Sequence, residues 1–165
     1  MTTTPDNATH TDAAPTITAL LIDPVKAQAR RVTLTSNDGE LVLAELYQLI
    51  GCDLVERAPL DERHLIWTDE EGWDEASGFT VIDAGANAIA GRFLIIGESE
   101  EGQARDVAED VAPILARFTC HRCLFEAEFT TRTGDTQHGF FVQTKLHGVT
   151  PRIDKRRPRL VEPEG

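Results

Sequence analysis

Cys120 and Cys123 stand two residues apart in the stretch RFTCHRCLF, Arg117 to Phe125, of a chain that holds three cysteines in all. Two thiolates at this spacing can grip one tetrahedral zinc ion from a tight turn, or cycle as a redox pair. A structural zinc needs two further ligands, and His121, His138, His147 and Cys52 are the residues that could supply them. The downstream spacing, C-x2-C-x14-H-x8-H, departs from the finger pattern of about 12 and then about 3–5 intervening residues. On a hairpin, His138 falls far from the cysteines, whereas a returning strand carries His147 back towards them. Cys120, Cys123 and His147 are therefore the candidate metal set, with zinc as the metal and a further ligand from His121 or a second chain. Redox chemistry is disfavoured: a reactive thiolate draws its low pKa from a helix N-terminus, and this pair should follow a helix and precede a strand. The competing account is two ordinary thiols, one of them buried.

The second chemical cluster is DEEGWDEASG, Asp69 to Gly78, with five acids and two glycines. A calcium-loop pattern D-x-[DN]-x-[DN]-G-x5-E is absent. Asp69 with Asp74 and Glu75 could hold only a weak divalent ion. A solvated acidic loop is the better account, with Trp73 as an anchor or contact residue. Asp69, Glu70, Glu71, Trp73, Asp74 and Glu75 are thus the candidate partner-binding residues. No nucleophile elbow, phosphate-binding loop or dinucleotide fingerprint occurs, and no catalytic or cofactor-binding residue is assigned. An enzyme is not expected.

These clusters sit in a chain of 165 residues with a formal net charge of -12. The charge is uneven: residues 51–119 carry 16 acids and 5 bases, whereas residues 120–165 carry 6 acids and 8 bases. Such a middle segment repels nucleic acid phosphates and attracts basic protein surfaces, so direct nucleic acid binding is not expected. No apolar run approaches the roughly 20 residues that span a bilayer. The first residues lack the basic and apolar regions of a secretory signal. An odd cysteine count also argues against a disulfide framework, so a cytoplasmic location is expected.

The elements that must position the clusters follow from hydrophobic pattern. Residues 1–15 have no apolar periodicity and are expected to be a disordered tail. Strands are expected at TITALLID and ARRVTLTS, then a helix in GELVLAELYQLIGC, where Leu43, Leu46, Leu49 and Ile50 recur at helical spacing before Gly51. DLVERAPL, RHLIWTD, FTVIDA and GRFLIIG read as further strands. From about Gln103 to Phe118 a second helix is expected, with Val107, Val111, Ile114, Leu115 and Phe118 on one face and a kink at Pro113. CLFEAEFTTR and HGFFVQTKL read as a β-hairpin. The sequence after it, with three prolines and five bases in residues 150–165, reads as a flexible basic tail.

The fold class that follows is α+β: a small mixed or antiparallel sheet with two packed helices and a C-terminal β-hairpin. Its parts are a disordered tail at 1–15, an α+β domain at 16–98, a helix-and-hairpin extension at 99–148 and the flexible tail at 149–165.

Four stretches between residues 17 and 97 carry a family resemblance. They are Leu21-Ile22-Asp23-Pro24, Ile50-Gly51-Cys52-Asp53-Leu54-Val55-Glu56, Trp67-Thr68-Asp69-Glu70-Glu71-Gly72, and the glycine-flanked strand from Gly91 to Gly97. Together they resemble an uncharacterised domain family found in genomes of bacteria, plasmids and phages. The resemblance implies a small α+β domain common on mobile elements and brings no catalytic residues with it. The expected function is a non-enzymatic accessory protein of a mobile element or its host. It would bind a basic or DNA-binding protein through an acidic face, in a sharper form by imitating DNA phosphates before a restriction or regulatory factor. Two other classes stay open: a zinc-stabilised, nucleic-acid-associated regulator using the hairpin and basic tail, and a small enzyme with an unrecognised site.

Overall fold

The computed structural model describes residues 14–74, 76–83 and 87–162. The expected tail at 1–15 lies almost wholly outside them. Two long apolar runs form the centre of one sheet, β1 (Thr16–Asp23) and β8 (Phe93–Glu98). They pair antiparallel, with Leu20, Leu21 and Ile22 opposite Ile95, Leu94 and Phe93. Around them the strand order is β12 (Arg159–Leu160), β2 (Gln28–Asn37), β1, β8, β5 (His64–Asp69) and β4 (Val55–Pro59). Two short strands join its margins, β3 (Glu40–Leu41) on β2 and β9 (Ala104–Arg105) on β8.

Continuous apolar runs suit strands covered on both faces, and this sheet is covered on both. Ile17, Ala19, Leu21, Leu94 and Ile96 point to one side and pack with Leu46 and Ile50 of α1 (Leu43–Ile50). Leu20, Ile22, Phe93 and Ile95 point to the other and pack with Val107, Val111, Ile114, Leu115, Phe118 and Cys120. The second cover is a smaller antiparallel sheet in the order β11 (Gly139–Arg156), β10 (Phe118–Thr136), β6 (Gly78–Ile82) and β7 (Ala88–Ala90). Phe93 and Phe118 meet edge-on across the two sheets, ring centroids 5.6 Å apart.

The α+β expectation is corrected: the protein is mostly β, and its only helices among the described residues are α1, of eight residues, and α2 (Ala112–Leu115), of four. The expected helix from Gln103 to Phe118 is mostly irregular, with a two-residue strand at Ala104–Arg105 and a helix only at Ala112–Leu115. Asp106 is committed to a backbone donor elsewhere: its Oδ1 accepts the Thr18 N–H at 2.6 Å, and the Val107 N–H donates to the Thr18 carbonyl at 2.8 Å. The chain is thereby tethered to the end of β1 until Asp110 Oδ1, accepting the Ala112 N–H at 3.0 Å, starts one helical turn. Pro113 sits in that first turn, where a missing N–H costs nothing. The apolar face named from the sequence is still buried, because side chains at irregular spacing converge on the same sheet.

The basic tail differs too. The hairpin runs to Arg156, and Arg159–Leu160 pair parallel with Gln28–Ala29 of β2. Val161 N–H donates to the Ala29 carbonyl at 2.8 Å. Proline and basic residues gave no apolar signal, but an open strand edge needs only backbone groups from its neighbour. No helix among the described residues is long and apolar enough to cross a membrane.

Candidate functional site

β10 and β11 pair over nearly their whole length, from Cys120 opposite Arg156 to Thr136 opposite Gly139. Only the first residues of β10, Phe118 to Arg122, also pair with β6. Beyond Cys123 the two strands form a free ribbon of about 14 residue pairs, roughly 45 Å long at about 3.3 Å per residue. Its root is held by Arg117, which donates to both oxygens of Asp83 and, at 3.1 Å, to Asp61. Those hydrogen bonds from Arg117 hold the Asp83 carboxyl below its ordinary range.

Strand alternation gives the ribbon two unlike sides. One carries Arg122, Glu126, Glu128, Arg132, Lys145, Arg152 and Asp154, tied by ion pairs such as Arg152–Glu126 at 2.6 Å. The other places Phe125 opposite Pro151, Ala127 opposite Val149, Phe129 opposite Leu146 and Thr133 opposite Val142. His147 is the extra residue of a bulge opposite Glu128 and Phe129, and this bulge keeps Phe129 and Leu146 on the apolar side. Between Lys155 at the root and Asp135 at the tip, that side has no charge. Phe125 is 73% exposed and Phe140 77%.

The apolar side continues into the body. Phe79 of β6 pairs with His121, ring centroids 4.7 Å apart, and Trp73 lies 5.8 Å from Phe79. Burial first, and then nearby Lys155, push the His121 pKa down, which favours the neutral ring. Trp73, exposed at 61%, thus belongs to the same surface as the ribbon. From sequence it was a contact residue of the acidic loop, with no link to the ribbon.

The candidate metal set does not assemble. Residues three apart on a strand face opposite sides, so Cys120 points into the core and Cys123 to solvent. His147 lies at the bulge, about 20 Å along the ribbon from the level of Cys123. Among the described residues, no group of three or more His, Cys, Asp or Glu side chains is placed to hold a metal. In the acidic loop, Asp69 is half-buried and its Oδ1 accepts the Glu71 N–H at 3.0 Å, while Glu70, Glu71 and Asp74 are exposed. Glu75 lies outside the described residues.

A second feature was not legible from any one segment. Asp23 and Pro24, Ile50 and Gly51, Asp69 and Gly72, and Gly91 and Arg92 line one hollow of about 300 Å³. Each pair comes from a different one of the four stretches that carry the family resemblance. Gly51 ends α1 in the left-handed conformation, φ 86°, and its missing side chain leaves the space that the Arg92 guanidinium occupies.

Comparison with known proteins agrees with that resemblance. The model of a domain of unknown function, DUF3846, matches residues 17–119. The chain belongs to this family. The match reaches Thr119, beyond the last shared strand, and stops just before Cys120. An uncharacterised protein, y4iR, of Sinorhizobium fredii is 28% identical over 148 residues, covering 87% of this chain and 88% of its own. The protein PsiB of Rhizobium leguminosarum bv. phaseoli is 26% identical over 120 residues, covering 72% and 90%. No solved structure matches.

Proposed function

We propose that this DUF3846 member is a non-enzymatic, protein-binding accessory protein of a mobile element or its host, and that it docks through the apolar side of the β10–β11 ribbon. The observation that carries this reading is the uncharged strip from Phe125 to Val142. With Phe140 and Ile153 its large side chains expose on the order of 800 Å² of apolar surface. The largest apolar patch on an ordinary monomer is roughly 300–600 Å², and a stable interface takes about 800 Å² from each partner. The acidic loop then flanks the docking surface, with Trp73 as the shared aromatic at its margin, and is not itself the surface.

The first occupant is a second copy of this chain. A strip this apolar needs cover from the moment of synthesis, and the partner always present then is another copy. Two uncharged strips can pack antiparallel about a two-fold axis without any unpaired charge. Light scattering on the purified protein at tens of micromolar should give a dimer mass, and Phe129→Ser with Leu146→Ser should give a monomer mass with an unchanged circular dichroism spectrum. A monomer mass for the parent protein overturns the second-copy assignment.

A further inference from the structure

The hollow lined by the four family stretches is separate from the ribbon and has its own chemistry. In a chain of net charge -12, its lining sets two cations, Lys26 and Arg92, against two acids, Asp23 and Asp69. Lys26 and Arg92 line it, and both also line an adjoining depression with Arg30 and Gln28. None of Lys26, Arg30 and Arg92 makes an ion pair or a side-chain hydrogen bond among the described residues. Every ion pair among those residues involves a different cation.

Topology explains the convergence. β1 and β8 are antiparallel with Ile22 opposite Phe93, so the next residues, Asp23 and Arg92, lie side by side at one end of the sheet. Leu21 pairs with Arg30 across β1 and β2, which brings Arg30 to the same side. The C-terminal end of α1 closes over them at Gly51. A helix C-terminus is favourable for a cation, which suits Arg92 to this place, and among the described residues its planar fork of donors is uncommitted. Turn geometry accounts for Gly51. It does not account for an arginine there with no acceptor among the described residues.

We infer that this hollow is a binding site for a small molecule bearing a phosphate or carboxylate group, held by Arg92 with Lys26 and Arg30 in support. A guanidinium fork matches the paired oxygens of such a group. Asp23 and Asp69, on the same lining, accept hydrogen bonds from hydroxyl or amino groups elsewhere on the ligand. They also balance Lys26 and Arg92 on the lining and leave Arg30 as the excess cation, which selects a small ligand over a polyanion such as nucleic acid. The volume is at the lower end of the range for small-molecule sites.

The test uses inorganic phosphate, with acetate as the carboxylate probe and sodium chloride at matched ionic strength as the control. For the full chain, 20 mM phosphate or acetate should raise Tm by about 3–6 °C over chloride, as expected for a ligand binding near 1 mM. The probe giving the larger rise identifies the group. Arg92→Gln should abolish the rise, whereas Arg132→Gln on the ribbon should keep it. Because Arg92→Gln could fail to fold, amide shifts of the parent protein supply a second reading: phosphate or acetate should move the Gly51 and Gly91 signals and leave Gly134 in place. Equal Tm in chloride, phosphate and acetate, or shifts spread evenly over the chain, overturns the site. Neither result bears on the ribbon.

Discussion

The Cys120 sulfur lies 3.8 Å from Thr80 Oγ1, which donates to it inside the core between the two sheets. Both residues are buried, and burial pushes the Cys120 thiol pKa up. Cys123, on the opposite side of the same strand, is exposed.

Thiol chemistry should therefore split the pair. Iodoacetamide at pH 8 should alkylate Cys123 within minutes and Cys52, half-buried with its pKa raised by burial, more slowly. Cys120 should react only after denaturation, because a buried and protonated thiol is a poor nucleophile. Peptide mass spectrometry over a time course reads this directly. Protection of Cys120 and Cys123 together, lifted by a chelator, would instead reveal a shared metal.

Glu45 ties α1 to β2. Its carboxylate accepts the Thr35 N–H and the Thr35 hydroxyl, both at 2.7 Å, and these bonds hold its pKa below the ordinary value. The folded state thus releases this proton more readily than the unfolded chain. The contribution is complete above the unfolded pKa and is lost as pH falls through the lower folded value. Glu45→Gln should cost about 1 kcal/mol at pH 7, and the difference from the parent should shrink as pH falls below about 4.5. Urea unfolding of both proteins at several pH values checks the sign. A difference that grows on acidification contradicts it.

Core membership was readable where the secondary structure was not. Val107, Val111, Ile114, Leu115 and Phe118 were picked out as one helical face. They are buried together, although only Ile114 and Leu115 lie in a helix. Apolar spacing reports which side chains avoid water. It cannot report that Asp106 will bond to the Thr18 N–H and tether the chain to β1, so that helix begins only at Ala112. The same limit applies to the sites. The hollow around Arg92 depends on β1–β8 register, and the opposed faces of Cys120 and Cys123 depend on β10 beginning at Phe118 rather than at Cys123. Trp73 was legible as a contact residue, but its alignment with Phe79 and His121 required the pairing of β6 with β10.

Val111 tests that core directly. Val111→Asp places an unpaired carboxylate among Ile114, Leu115 and Phe118 and should cost about 3 kcal/mol or more. Chemical denaturation should show a lower midpoint with an unchanged slope. A variant that unfolds like the parent would mean that the segment leaves the core freely.

Gly97 tests the path of the same segment. A side-chain carbon there would meet the Asp106 carbonyl oxygen, and backbone cannot yield as a flexible side chain can. Gly97→Ala should destabilise the fold by roughly 1–3 kcal/mol through this overlap. An alanine tolerated at 97, measured by the same denaturation, would place the Ala104–Val107 segment farther from β8.

The docking surface and the acidic loop make opposite predictions. Reversing Glu70, Glu71 and Asp74 to lysine changes charges that are exposed at the turn after β5. The apolar-strip reading predicts that dimer mass survives this change and varies little between 50 and 500 mM salt, because an uncharged contact has little charge to screen. Phe129→Ser with Leu146→Ser should abolish the dimer while shifting Tm by less than about 2 °C, since neither side chain belongs to the core clusters. Trp73→Ala should weaken the dimer about tenfold if the ring anchors the margin of the contact, in keeping with the weight aromatic residues carry in interfaces. Sedimentation equilibrium on the four proteins reads all three effects. A dimer that dissolves on charge reversal or in high salt, yet tolerates loss of Phe129 and Leu146, would return the binding surface to the acidic loop.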